Sequence, residues 1–131
     1  MLKIATAASF SLLSLTACLA DETVSGYADP SATYHLIELD DAPFSATATI
    51  AFPQEGRVAG NGPCNGYSSI QTVPYPWFNL EFIRATRRAC PELAEEAAFF
   101  AALQDMTLAE ASGGVLILSN EEGRSMVFEA R

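Results

Sequence analysis

A chain of 131 residues holds one domain, and this one is acidic, with a formal net charge of −9 from 7 Lys and Arg against 16 Asp and Glu. Lys3 is its single lysine, so once Lys3 is set aside with the first 17 residues the −9 becomes −10 and every remaining cation is an arginine. That balance makes nucleic acid and anionic headgroups poor partners, while a composition that is 50% hydrophobic is enough to bury a core and argues against disorder.

The N-terminus reads as a secretory signal. Lys3 is its basic start, Ile4 to Leu15 its apolar run, and Thr16 and Ala17 the small residues before Cys18. The run is shorter than the about 20 apolar residues a membrane span needs. Leu15-Thr16-Ala17-Cys18 resembles the bacterial lipobox. That resemblance implies cleavage before Cys18, a diacylglycerol on its thiol and an acyl chain on the new amine. It places the protein on the cell envelope by a lipid anchor, with palmitate-type chains on Cys18 and no other cofactor. The alternative is an ordinary signal cut near Ala20 with a soluble product. Residues 1–17 are thus expected to be signal and 18–32 the lipidated Cys and a flexible tether, since Asp21, Glu22, Ser25, Gly26, Asp29, Pro30 and Ser31 crowd that stretch. Leu19, not Asp, follows Cys18. In the lipoproteins it resembles, this leans toward the outer membrane, facing the periplasm.

With Cys18 assigned to lipid, two cysteines remain in an oxidising compartment, and a Cys64–Cys90 disulfide follows. It would close a loop of about 27 residues, for about 3.6 kcal/mol in the chain-entropy picture. Two Cys and the distant His35 fall short of a four-ligand zinc set.

From Thr33 the pattern turns strand-like. Tyr34, Leu36 and Glu38 or Leu39 mark a first strand, and Ala46 to Phe52 a second with threonines on a wet face. Pro53 ends it, Gln54-Glu55-Gly56 turns, and Arg57 to Gly60 returns. Tyr67, Ser69, Gln71 and Val73 share one face of another strand. Phe78, Leu80 and Phe82 alternate and are expected to point inward. Pro91 opens a helix whose stripe is Leu93, Ala97, Phe100, Leu103 and Met106, widened by Phe99, with Glu92, Glu95 and Glu96 favouring its dipole. Thr107–Ala111, Val115–Leu118 and Ser125–Phe128 are three closing strands joined at Gly113-Gly114 and Asn120 to Gly123. About eight strands and one helix result, a β-rich α+β fold in which the helix packs on an antiparallel sheet.

Gly60-Asn61-Gly62-Pro63-Cys64-Asn65-Gly66-Tyr67 resembles the glycine-rich Cys-Asn-x-aromatic motif of the META domain (HslJ-like) family. Thr86-Arg87-Arg88-Ala89-Cys90-Pro91 is similar to its second signature before a helix. The resemblance spans roughly residues 33–129 and places the domain at 33–131. It departs from the family pattern at Tyr34, where a tryptophan is usual, and at Pro63, where glycine is common and a backbone donor is lost. It implies a twisted antiparallel sheet curling toward a small lipocalin-like barrel. It also implies an envelope-stress or integrity role, and no established catalytic residues. Gly60, Gly62, Asn65 and Thr86 are then structural motif residues, with Asn65 holding its turn, ligand contact being the alternative for it, and Thr86 satisfying backbone near the helix start.

Three functional readings remain. The first is a non-catalytic, monomeric, lipid-anchored envelope protein that contacts an envelope protein partner, with Tyr75 and Trp77 as the candidate surface. The second is a binding module for a small apolar ligand, which a barrel interior filled by Phe52, Phe82 and Phe128 would contradict. The third is a hydrolase built on His35, for which there is no Gly-x-Ser-x-Gly elbow. Arg87-Arg88 reads as a solvated face or a partner to Glu92 and Glu95. Asp40-Asp41 and Glu121-Glu122 read as solvated turns without the pattern of a calcium loop.

Overall fold

A computed structural model describes Ile4 and residues 20–131 of the chain. The rest of the expected signal segment, together with Cys18 and Leu19, lies outside the described residues. Nine strands and one α-helix follow a short 3-10 turn at Val24–Gly26. The strands are β1 Tyr34–Leu39, β2 Ala42–Pro43, β3 Thr49–Ile50, β4 Arg57–Asn61, β5 Gly66–Ile70, β6 Arg84–Ala85, β7 Leu108–Ser112, β8 Val115–Ser119 and β9 Ser125–Ala130, with α1 at Leu93–Asp105 between β6 and β7. Every pairing is antiparallel. One sheet runs β2-β1-β9-β8-β7 with β3 also on β1, and the other runs β4-β5-β6.

The two sheets curl toward each other without closing into a barrel. Ala51 and Ala59 exchange backbone bonds and join β3 to β4. On the other side Trp77 bridges Leu108, and the Glu81 N–H donates to the Ile70 carbonyl, so residues 77–81 pass from β7 to β5. A bulge in β1 between Leu36 and Glu38 adds twist to the strand that carries both β3 and β9. Hairpin ends follow their sequence: Gly113 and Gly114 both have positive φ, as a two-residue turn between twisted strands requires, and Asp40 and Asp41 do the same between β1 and β2.

Alternation decides the core. Tyr34 and Leu36, Leu116 and Leu118, and Met126 and Phe128 point inward, and Phe52, Phe78, Phe99 and Leu103 fill the space between them. The interior between the sheets is therefore occupied by side chains, Phe52 and Phe128 among them.

Several expectations need correction. Ala46 to Phe52 forms a strand only at Thr49–Ile50, which pair with His35 and Tyr34 of β1; the Ala48 carbonyl still accepts from the Leu36 N–H, and Ala51 turns to Ala59 of β4. Thr49 is buried rather than wet, its hydroxyl accepting from the Asn61 N–H and its carbonyl from the Tyr67 hydroxyl. Phe78 and Leu80 are buried, but Phe82 is 67% exposed. The segment bends at Glu81 where it crosses to β5, and the bend breaks the alternation.

The helical stripe is also rotated. Glu96, Phe99, Ala102 and Leu103 are its buried residues, followed by Met106, whereas Leu93 and Ala97 face out. Phe99 and the partly buried Phe100 both pack edge-on against Tyr67, with Phe99 the one that is fully buried.

Residues 21–32 are not a loose tether. The Asp21 carboxylate accepts from the Thr23 N–H and hydroxyl and from the Ser25 hydroxyl, closing a local turn. Val24, 1% exposed, then enters the core, Ala28 follows, and the Tyr34 hydroxyl accepts from the Asp29 N–H. Short polar side chains here satisfy backbone groups locally, which lets the apolar residues between them be buried.

Candidate functional site

The motif residues meet at one place, where the β4–β5 turn, the segment before α1 and the first turns of α1 come together. Asn61 pairs with Gly66, and the Gly62 N–H donates to the Asn65 carbonyl, so residues 62–65 form a tight loop. Glu96 reaches it from the helix. Its Oε1 accepts from the backbone N–H groups of Cys64 (3.0 Å) and Asn65 (2.7 Å), and its Oε2 accepts from Asn65 Nδ2 (2.7 Å). Two successive N–H groups converging on one carboxylate oxygen make a small anion nest, filled here by the chain's own side chain.

Asn65 carries the connection onward. Its Oδ1 accepts from the Thr86 hydroxyl (2.9 Å) and the Arg88 N–H (2.6 Å), while Nδ2 donates to the Arg88 carbonyl (3.0 Å) as well as to Glu96. Both amide hydrogens and the carbonyl oxygen's two acceptor positions are in use, which is the full capacity of an asparagine side chain. The Cys64–Cys90 disulfide, with Cα atoms 5.7 Å apart, fastens the same segment a second time.

The glycines are there because backbone approaches too closely for a side chain. A Cβ on Gly60 would lie 2.2 Å from the Thr49 carbonyl oxygen, and one on Gly62 would lie 2.7 Å from Glu96 Oε1.

Asn65 and Thr86 therefore act together, but not each as expected. Asn65 ties a distant segment, not its own turn, and the turn is held by Glu96. Glu96 was legible only as a dipole-favouring acid; its place three residues before Phe99 and seven before Leu103, on the buried stripe, is the signal that marks it. Cys64 and Cys90 also gather with Glu92, and Cys90 Sγ lies 3.2 Å from Glu92 Oε2. The disulfide consumes both sulfurs, so this trio offers no thiolate to a metal.

The remaining candidates lie elsewhere. His35 stands on β1 opposite Glu129 and Thr49, and Arg87 and Arg88 are exposed. Among the described residues the ion pairs centre on Arg124, which bonds Asp40 and Asp105 at 2.8 Å each and does not involve the arginine pair. Asp40 is thus more than a solvated turn residue. Hydrogen bonding from Arg124 holds its carboxyl below the usual range, and Asp40 in turn raises the guanidinium. Burial raises the Asp21 carboxyl, but the bonds from Ser25 and Thr23 outweigh it and leave it lowered. Burial pushes the Tyr67 hydroxyl far up, so it serves as a neutral donor to Thr49.

Two surfaces offer unconsumed apolar groups. Trp77 is 54% exposed, whereas its neighbour Tyr75 is half-buried, stacked on Tyr27 at 4.1 Å and accepting from the Ala111 N–H. On the three-stranded sheet a groove of about 320 Å³ is lined by Arg57, Ser68, Ile70, Glu81, Phe82 and Arg84. Phe82 and Ile70 stand exposed in it beside two guanidinium groups. Sequence reasoning missed this groove, because the inward assignment of Phe82 hid it.

Among the described residues no helix is long and apolar enough to cross a membrane. The fold is similar to that of a DUF4847 family protein from Bacteroides vulgatus, with a TM-score of 0.62 at 14% identity over 81% of this chain and 96% of that one. It is also similar to a protein from Burkholderia xenovorans solved by NMR, with a TM-score of 0.60 at 15% identity over 100% and 99% of the two chains. No curated protein matches the sequence significantly. The META domain family model matches residues 30–131, covering both motifs and the helix between them and the closing strands, and the chain belongs to the META domain family.

Proposed function

We propose that this is a lipid-anchored envelope protein of the HslJ-like type whose META domain works by contact rather than by catalysis, in support of envelope integrity under stress. The observation that carries the reading is the distribution of cysteines. The disulfide accounts for Cys64 and Cys90, and the third cysteine is the one in the lipobox-like stretch at Leu15-Thr16-Ala17-Cys18. A disulfide in a small domain fits an oxidising compartment outside the cytoplasm. Contact is favoured over catalysis because the polar groups of the motif are engaged with one another. The groups left over, Ile70 and Phe82 with Arg57 and Arg84 against the one carboxylate of Glu81, form an open groove of net positive charge suited to an acidic, partly apolar protein segment.

The test is the intact mass of the protein recovered from its own membranes. The expected species begins at Cys18, carries a diacylglycerol and an N-acyl chain, and lacks two hydrogens. A mature chain starting near Ala20 without acyl groups would overturn the anchored reading. Replacing Phe82 and Arg84 with serine should weaken capture of the envelope partner without changing the melting temperature.

A further inference from the structure

The packing of residues 21–32 changes what the anchor can do. With a loose segment from 18 to 32 the domain would float at a distance from the bilayer. Instead the Glu22 carbonyl accepts from the Tyr75 N–H at 2.7 Å, so the chain is fixed to the domain four residues after Cys18. Four residues reach at most about 14 Å when fully extended. A lipid on Cys18 would then lie within that reach of Glu22 and of the Tyr75 N–H it bonds, at the start of the Tyr75-Pro76-Trp77 loop. Tyr27 stacks on Tyr75 on the same side and is itself exposed, and Trp77 lies two residues further on with its ring half in solvent.

We infer that this end of the domain sits on the leaflet that holds the anchor, with Trp77 and Tyr27 in the interfacial zone of the bilayer. The inference rests on the anchored reading above. Tryptophan and tyrosine suit that zone because a flat apolar ring with a polar tip is at home between headgroup and acyl chain. Asp21 and Glu22 flank the exit, so the surface fits a zwitterionic leaflet rather than an anionic one. The groove of Ile70 and Phe82 belongs to the other sheet and is left open to a protein partner.

Trp77 is the chain's single tryptophan and reports on its own position. The acylated protein recovered from its own membranes is placed in phosphatidylcholine vesicles, with or without lipids brominated high on the acyl chain, and the vesicles are floated. Trp77 emission should shift to the blue and be quenched by the brominated lipid. A control uses Trp77→Phe with Leu93→Trp. Leu93 is 44% exposed at the first turn of α1, about 18 Å along the helix from the end that adjoins Trp77, and should escape quenching. Flotation with equal Trp77 emission in both vesicles would overturn the docking while leaving the anchor intact. Equal quenching at Trp77 and at the Leu93→Trp position would overturn it too, because the domain would then have no preferred face. Failure to float, with a mass lacking acyl chains, would remove the anchor and the docking together.

Discussion

Replacing Glu96 tests the account of the motif most directly. Glu96 is 5% exposed and accepts three hydrogen bonds, from the Cys64 and Asn65 N–H groups and from Asn65 Nδ2. Glu96→Ala removes all three. Bonds to a charged acceptor contribute about 1.5–3 kcal/mol each, but the sum is not realised, because the variant also recovers the several kcal/mol that burying a carboxylate costs. Asn65 Nδ2 keeps the Arg88 carbonyl, and Cys64 is only partly buried. The expected loss is about 2–4 kcal/mol, a large share of a domain's stability of about 5–15 kcal/mol.

Glu96→Gln separates charge from geometry. Its amide oxygen can still accept the two backbone donors, but its amide nitrogen then faces Asn65 Nδ2. Flipping Asn65 gives no relief, since the flip would turn its nitrogen toward the Arg88 N–H and its oxygen toward the Arg88 carbonyl. A loss of about 1–2 kcal/mol follows from a donor–donor conflict and weaker neutral bonds. Urea unfolding of the oxidised protein, followed by circular dichroism, measures both variants. A double-mutant cycle with Asn65→Ala should give a coupling of about 1–3 kcal/mol. A Glu96→Ala loss below about 0.5 kcal/mol, or a coupling of zero, would refute the claim that this carboxylate holds the turn.

Cys64→Ser should lower stability by about 3.6 kcal/mol, and reductant should bring the parent protein to the same level; equal melting of the parent with and without reductant would contradict this. Gly60→Ala drives a Cβ into the Thr49 backbone and should cost about 3 kcal/mol or more in urea unfolding, as backbone has no rotamer by which to retreat. Phe78→Ala should cost about 3–5 kcal/mol and Phe82→Ala less than about 0.5, and comparable losses would show that both rings are core. Asp40→Asn keeps a residue that tolerates the positive φ there and removes a charge held below its usual titration range by Arg124. The stabilisation is present above the ordinary aspartate range and is lost as pH falls through the lower folded value. The variant should therefore be about 0.5 kcal/mol less stable at neutral pH and equal to the parent in strong acid, read from urea midpoints at both.

The strands were legible where one period governs a whole run. Tyr34 and Leu36, Leu116 and Leu118, and Met126 and Phe128 alternate cleanly because their strands lie side by side in one sheet with one face on the core. Sequence alternation failed at Phe82 because the run crosses from one sheet to the other, and a change of neighbour leaves no local mark beyond the bend. It failed at residues 21–32 for the opposite reason. Asp, Ser, Thr and Gly mark a tether and a tight turn alike, and only Val24 and Ala28, two isolated apolar residues, distinguish the packed case. The disulfide could be reached by counting. The Glu96–Asn65–Arg88 chain could not, since it joins residues 31 and 23 positions apart through groups that periodicity does not weigh.

That chain of bonds also limits where recognition can reside. A ligand bonding the Asn65 side chain itself would have to displace Thr86, Arg88 or Glu96; Thr86 and Arg88 are exposed and would turn to water, but displacing the buried Glu96 would orphan its carboxylate at about 1–3 kcal/mol or more. A site of that kind resists occupation. On the proposed reading, recognition falls instead to groups whose interactions are unspent: the ring of Trp77 beside the end where the proposed anchor leaves the domain, and Ile70 and Phe82 beside two guanidinium groups on the other sheet. The motif then explains the spacing of these two surfaces, not their chemistry. By fastening the β4–β5 turn to α1 and to the segment that follows β6, it fixes the sheet carrying Phe82 relative to the helix whose far end leads to Leu108 and its bridge to Trp77. If the proposed contacts hold, loosening it with Glu96→Ala should therefore disturb partner capture at Phe82 more than lipid contact at Trp77, because residues 21–25 are held by their own bonds at Glu22 and Asp21.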